Sequence, residues 1–146
     1  MTEPPAALGR RVAQELMVSG ASADVRPLAD KLGVEIVTLD SPPPAQPGLR
    51  SEYQPSPPRI ILYRTAIARV GAGARTPTCG SRVPPATPHQ IEDLHIAHEL
   101  FHHLQATHRL ARLSVAEEEE AAHAFAREVV RSWADPQARP GEQSTA

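Results

Sequence analysis

Apolar positions recur along this chain in two rhythms, one helical and one alternating, and they divide it into eight elements. Ala7, Val12, Leu16 and Met17 fall loosely on one face of residues 6–18 and predict a first helix. Asp24 is placed to cap a second helix over 25–32, and Gly33 to end it. Val34-Glu35-Ile36-Val37-Thr38-Leu39 alternates and is rich in β-branched residues, which predicts a strand stopped by Pro42-Pro43-Pro44. Leu49 to Gln54 reads as a second short strand. Arg59-Ile60-Ile61-Leu62-Tyr63 is a continuous apolar run, expected of a strand in a buried or well-covered position. Thr65 to Val70 predicts a short helix.

The two C-terminal helices carry explicit start signals. Thr87-Pro88-His89-Gln90 supplies an N-cap hydroxyl, a proline at the first helical position and a glutamine three residues after the cap. The helix it opens is expected to run to about His108, with Ile91, Leu94, Ala97, Leu100, Phe101 and Leu104 forming a broad buried stripe. Ser114-Val115-Ala116-Glu117 is a capping box, and it predicts a helix to about Trp133 that Pro136 ends. Proline and glycine cluster at the N-terminal tip and at 42–48, 71–88 and 135–146. A single domain over 1–134 is expected, with a flexible loop at 71–88 and a disordered tail at 135–146.

Composition narrows the function classes. A net charge of -2 and an aromatic content of 3% offer neither the basic surface nor the stacking platforms of a nucleic-acid binder. The core has to come from Leu, Ile, Val and Ala. Cys79 is the only cysteine, which excludes an intrachain disulfide, and its place in a Pro/Gly/Arg-rich loop reads as incidental. MTEPPAALGRR lacks the apolar stretch of a secretory signal, and no apolar run approaches membrane-spanning length. A soluble cytoplasmic protein is the expectation.

The chemistry concentrates in His98-Glu99-Leu100-Phe101-His102. Histidines four apart on a helix project from the same face, so both imidazoles can bind one zinc ion. Glu99 then lies beside the metal, placed to take a proton from a zinc-bound water. Shuffling this composition, with its 7 histidines, would give an H-E-x-x-H in roughly 3% of chains, so the helical context matters.

A hydrolytic zinc usually has three protein ligands and an open position. The run Glu117-Glu118-Glu119-Glu120 opens the next helix, and an antiparallel helix pair joined by 109–113 would bring its first turn back beside the motif. One of the four then completes a His-His-Glu site, although the run also suits a solvated helix N-terminus that complements the macrodipole. His95 shares the face of His98 and His102. A partly exposed structural role is expected for it, with a hydrogen-bond donor behind a ligand, a substrate contact or an alternative ligand as the other uses of that position. His103 points away from the pair, and surface roles are expected for His89, His103 and His108. His123 lies one turn after Glu119, where it could hydrogen-bond the ring N–H of a ligand histidine.

With Glu119-Glu120-Ala121-Ala122-His123-Ala124-Phe125-Ala126 following the motif, the chain resembles the ImmA/IrrE-type metallopeptidases. That family pairs an H-E-x-x-H helix with a downstream E-x-x-x-N-x-F-A helix. Val25 to Val34 and Arg59 to Tyr63 also resemble its upstream segments, and the similarity covers roughly residues 8–130. The resemblance implies metal ligands at His98, His102 and Glu119 and a catalytic glutamate at Glu99. It departs from the family at His123, where asparagine is usual, at Phe101, where glycine is common, and at Arg131-Ser132-Trp133, where the family ends in Met-Pro. These departures bear on substrate choice more than on metal binding. No counterpart of the DNA-binding module that some family proteins carry is present in the sequence.

The fold expected from all this is α+β and zincin-like, a small twisted β-sheet packed on the motif helix with the glutamate-bearing helix behind. The expected activity is a zinc-dependent metallopeptidase that hydrolyses peptide bonds of an intracellular protein, such as a regulator, by Glu99-assisted attack of zinc-bound water. Its partner is a protein or peptide substrate, which could add as a strand to the sheet edge near 59–63. Tyr53, Tyr63, His95 and His123 are candidates to assist the oxyanion. The alternative is a non-catalytic zinc-binding regulatory or interaction domain. A helical protein with incidental histidines and no metal is the remaining reading.

Overall fold

The computed structural model describes residues 3–18, 24–70 and 88–134. Thr87, Cys79, nearly all of the loop at 71–88 and the tail at 135–146 lie outside them. Five helices and three strands follow in the order α1 (Pro5–Val18), α2 (Val25–Lys31), β1 (Glu35–Leu39), β2 (Ser51–Pro55), β3 (Pro58–Tyr63), α3 (Arg64–Val70), α4 (Pro88–His108) and α5 (Val115–Ala134). The protein is therefore a mixed α+β chain with a small sheet.

Local chemistry sets the helix ends. The Asp24 carboxylate accepts from the Arg26 amide at 3.2 Å and opens α2. Gly33, at φ 76°, closes it, with its amide donating to Asp30 and that of Val34 to Ala29. At the start of α5 the capping box is reciprocal: the Glu117 amide donates to Ser114 Oγ at 3.1 Å, and the Ser114 amide to Glu117 Oε1 at 2.9 Å.

The sheet runs β1-β3-β2, with β1 parallel and β2 antiparallel to β3. The continuous apolar run at 59–63 thus forms the central strand, and it is covered on both faces. Ile60 and Leu62 join the main core beneath α4, whereas Ile61 and Tyr63 pack with Ala66, Val37 and Leu49 on the opposite face. This corrects one expectation: both edges of β3 are already paired, so no added strand can dock there. The free edge beside α4 belongs to β2.

α4 lies between the sheet and α5, and α1 covers the other side of α5. Enclosure on two sides explains why its apolar residues do not keep to one stripe. Ile91, Leu94, Ile96, Ala97, Leu100, Phe101 and Leu104 are all buried. Phe101 turns to α5, where its ring centroid lies 5.6 Å from that of Phe125. The α1–α5 contact sets Leu8, Val12 and Ala13 against an alanine-rich face of α5, Ala121, Ala122 and Ala126, with Phe125 among them.

Gly9 sits where those helices approach most closely. A Cβ there would lie 2.1 Å from the Ala121 carbonyl oxygen and 2.9 Å from the Phe125 nitrogen, both main-chain atoms that cannot rotate away. Alanine is intrinsically the better helix residue by about 1 kcal/mol. We nevertheless expect Gly9→Ala to destabilise the protein by about 1–3 kcal/mol, the range for overpacked interiors. Urea unfolding measures this, and an unchanged or higher midpoint would show that the helices are not in such close contact.

Candidate metal centre

α4 projects His98 and His102 toward α5, and the capping box fixes where α5 begins, which places Glu119 in its second turn. Glu119 Oε2 lies 3.1 Å from His98 Nε2, and Glu119 Oε1 lies 2.8 Å from His102 Nε2. The two imidazole Nε2 atoms are 3.3 Å apart. Ligands held about 2.0–2.1 Å from a tetrahedral zinc are separated by about 3.3–3.4 Å; the two rings stand at that spacing, and Glu119 meets each through a different oxygen, close enough for the three residues to share one ion. They are the one group of at least three His, Cys, Asp or Glu among the described residues close enough to share an ion, their donor atoms all within 4.8 Å of one another. Two nitrogens and a carboxylate oxygen suit zinc among the common biological cations.

A carboxylate from the same glutamate run orients one ligand. His102 Nδ1–H donates to Glu118 Oε2 at 2.5 Å, which leaves the Nε2 lone pair of the neutral ring facing the cluster. Without a metal the cluster holds itself together electrostatically. Burial opposes charge on His102, yet hydrogen bonds with Glu119 and Glu118 carry its pKa up to about 9. Hydrogen bonds from His102, then His123 and His98, hold the Glu119 carboxyl well below the usual carboxylate range. Metal ligation needs a neutral imidazole and so competes with the His102 proton.

His123 does not take the expected place beside a ligand ring N–H. Its Nε2 lies 3.6 Å from Glu119 Oε2 and its ring centroid 4.8 Å from that of His98, so it flanks the carboxylate and one ligand ring. His98 Nδ1 is buried without a hydrogen-bond partner.

The opposite wall is β2. Ser51 Oγ donates to Glu99 Oε2 at 2.7 Å, and Tyr53 OH lies 2.7 Å from His103 Nδ1. These pairs correct the view of His103 as a surface residue: it is 5% exposed, held between α4 and β2. His89 and His108 are exposed, as expected. His95 is not partly exposed but 1% exposed, and its Nδ1 pairs with the Ile91 carbonyl at 2.8 Å. Because Nδ1–H must donate there, Nε2 of the neutral ring is an acceptor and cannot stabilise an oxyanion. Tyr63 is excluded as well, since it packs on the far face of the sheet. Tyr53 and His123 line the cleft, but the Tyr53 hydroxyl is already engaged by His103 Nδ1, which leaves His123 as the remaining candidate.

That cleft has a volume of about 650 Å³ and runs between β2, with the segment before it, and the polar faces of α4 and α5. Its floor carries His98, His102, Glu99 and Glu119. The His98–Glu99–His102 constellation is legible from spacing along one helix. Ser51 is not, because it lies 48 residues from Glu99 in sequence. Strand alternation does put Ser51 and Tyr53 on one face, but nothing local says which helix that face meets. No helix among the described residues is long and apolar enough to cross a membrane. Comparison with known protein families, with curated proteins and with solved structures gives no match.

The burial of His95 has a consequence for acid stability. Burial pushes its pKa down to about 4 from 6.5, so the unfolded chain takes up a proton that the folded one refuses. In metal-free protein, stability should therefore be unaffected by His95 above pH 6.5 and should fall as pH drops from there toward 4, by up to about 3 kcal/mol. His95→Gln should lose less stability between about pH 7 and about pH 5. Equal losses in chelator-treated samples, followed by urea unfolding, would contradict the assignment.

Proposed function

We propose that this chain is a zinc-dependent metallopeptidase of the ImmA/IrrE type, zincin-like in fold, which hydrolyses peptide bonds of an intracellular protein. The observation that carries this reading is a three-donor cluster that opens onto a cleft with an acidic residue at its side. A purely structural zinc is normally closed by a fourth protein ligand. Among the described residues the mutually close set is His98, His102 and Glu119, with His123 at its flank, 3.6 Å from Glu119 Oε2. The cleft therefore favours catalysis over a regulatory domain that merely holds the metal.

Zinc bound by these residues would supply Lewis acidity, acidifying water and polarising a peptide carbonyl. The chain's own groups do the rest. Glu99 is 7% exposed, next to a ligand on the motif helix, and accepts the proton of the attacking water before passing it to the leaving amine. Ser51 holds Glu99 Oε2, which leaves Oε1 to carry that proton. Glu118 fixes the tautomer of His102. The free edge of β2, one wall of the cleft, offers main-chain groups to an extended peptide.

Metal analysis of the purified protein should find one zinc per chain, lost in His98→Ala and Glu119→Ala. Glu99→Gln should keep its zinc and lose about 10²–10⁴-fold in peptide hydrolysis, the range for removing a general base. Protein that binds no zinc, or a Glu99→Gln variant of undiminished activity, would end this reading.

Ser51→Ala tests the positioning of the base separately. We expect kcat to fall about tenfold, the loss of roughly one hydrogen bond to a charged group. KM and zinc content should be unchanged, and Ser51→Thr should restore the rate. Loss of zinc in Ser51→Ala would instead make the contact a structural one.

A further inference from the structure

The cleft is lined by several acids and a single Lys or Arg side chain, that of Arg50. Arg50 immediately precedes Ser51, whose hydroxyl holds Glu99, so it stands one residue from the reacting groups. Its main chain is fixed, because its carbonyl accepts from the Tyr63 amide at 2.8 Å. Its guanidinium is another matter. Arg11, Arg26 and Arg64 each pair with a carboxylate, whereas Arg50 has no side-chain hydrogen bond or ion pair among the described residues.

The carboxylates that line the same cleft are all engaged elsewhere. Glu119 faces three imidazoles, Glu118 accepts from His102, Glu99 from Ser51, and Glu52 from Gln54 at 2.9 Å. Arg50 is half-buried, and burial lowers its pKa with no neighbouring acid to offset the effect. The side chain has given up hydration without gaining a partner. A planar group with five N–H donors is suited to take a carboxylate through two parallel hydrogen bonds.

We infer that Arg50 recognises a carboxylate of the peptide that enters this cleft, so that the substrate is selected for an acidic group near the bond to be cut. The inference rests on the peptidase reading and adds a substrate class to it. The carboxylate can come from an Asp or Glu side chain or from the free C-terminus of the peptide, and the two sources are experimentally separable.

The full chain carrying Glu99→Gln and loaded with zinc serves as a trap. It is incubated with a pool of random decapeptides in two forms, one with free C-terminal carboxylates and one amidated, and bound peptides are sequenced by mass spectrometry. Enrichment of Asp or Glu at one position in the amidated pool assigns the side-chain source. Retention of the free-acid pool alone, with no sequence preference, assigns the C-terminus. In either case adding Arg50→Gln should weaken binding at least about tenfold, the value of a charge-assisted hydrogen bond. Zinc content and thermal unfolding should stay as in the parent, and Arg50→Lys should recover part of the binding. Peptides that bind with no carboxylate preference, or equally well to Arg50→Gln, overturn the inference and leave the peptidase reading standing. Failure of the trap to hold any peptide from either pool counts against both, and cleavage of the same pools by the wild-type chain then decides whether the peptidase reading survives alone.

Discussion

The structure depends on one constraint: the central helix α4 buries five polar or ionisable side chains, and the elements packed on it have to meet them with polar groups. Asp93, His95, His98, Glu99 and His103 are all 7% exposed or less. An unpaired buried polar group costs about 1–3 kcal/mol, so the neighbours of α4 cannot be simply apolar. The helix supplies the partner for His95 from its own Ile91 carbonyl. β2 supplies Ser51 for Glu99 and Tyr53 for His103. α5 supplies Glu119 for His98 and, with Glu118, for His102. The contacts that meet these side chains therefore assemble the site, while Asp93 Oδ1, His95 Nε2 and His98 Nδ1 keep no hydrogen-bond partner.

The match between β2 and α4 is geometric as well as chemical. Ser51 and Tyr53 are two apart on a strand and so rise about 6.8 Å. Glu99 and His103 are four apart on a helix and rise about 6 Å. Two hydrogen bonds at matching spacing fix the register of strand against helix, because a shift of one residue would turn both strand side chains to the other face. On the far side the register of α5 is set at its N-terminus. The capping box at Ser114 and Glu117 decides which glutamates fall in the first two turns, and the close α1–α5 approach at Gly9 holds the helix in place. Residues remote from the site thereby determine the distance between its ligands.

This division explains what the sequence reveals. Interactions that close within one or two turns are legible: the His98–His102 pair, Glu99 between them, the Asp24 and Ser114 caps, and Gly33 as a helix stop. The central strand also declares itself, since five consecutive apolar or amphipathic residues have to be covered on both faces. The glutamate of the candidate site is half legible. Spacing narrows it to the run at 117–120, and only the angle between α4 and α5 selects Glu119 as the donor facing both histidines. What stays hidden is whatever depends on which strand lies under which helix. The order β1-β3-β2 brings Ser51 and Tyr53 against α4 beside Ile60 and Leu62, and so buries His103, expected at the surface, and His95, expected to be partly exposed. Helical periodicity reports a face but not what that face meets.

Phe101 and His123 show how one interior serves two demands. Phe101 occupies a variable position of the motif, yet it is fully buried and packs on Phe125. In a chain with so few aromatics, that ring fills the space between α4 and α5 that smaller side chains would leave as a cavity. Farther along the same helix pair the demand is polar. His123 meets Glu119 one turn away on its own helix α5, at 3.6 Å, and its ring reaches across to α4, where its centroid lies 4.8 Å from that of His98. One helix interface thus packs Phe101 on Phe125 at one point and sets two imidazoles beside a carboxylate at another.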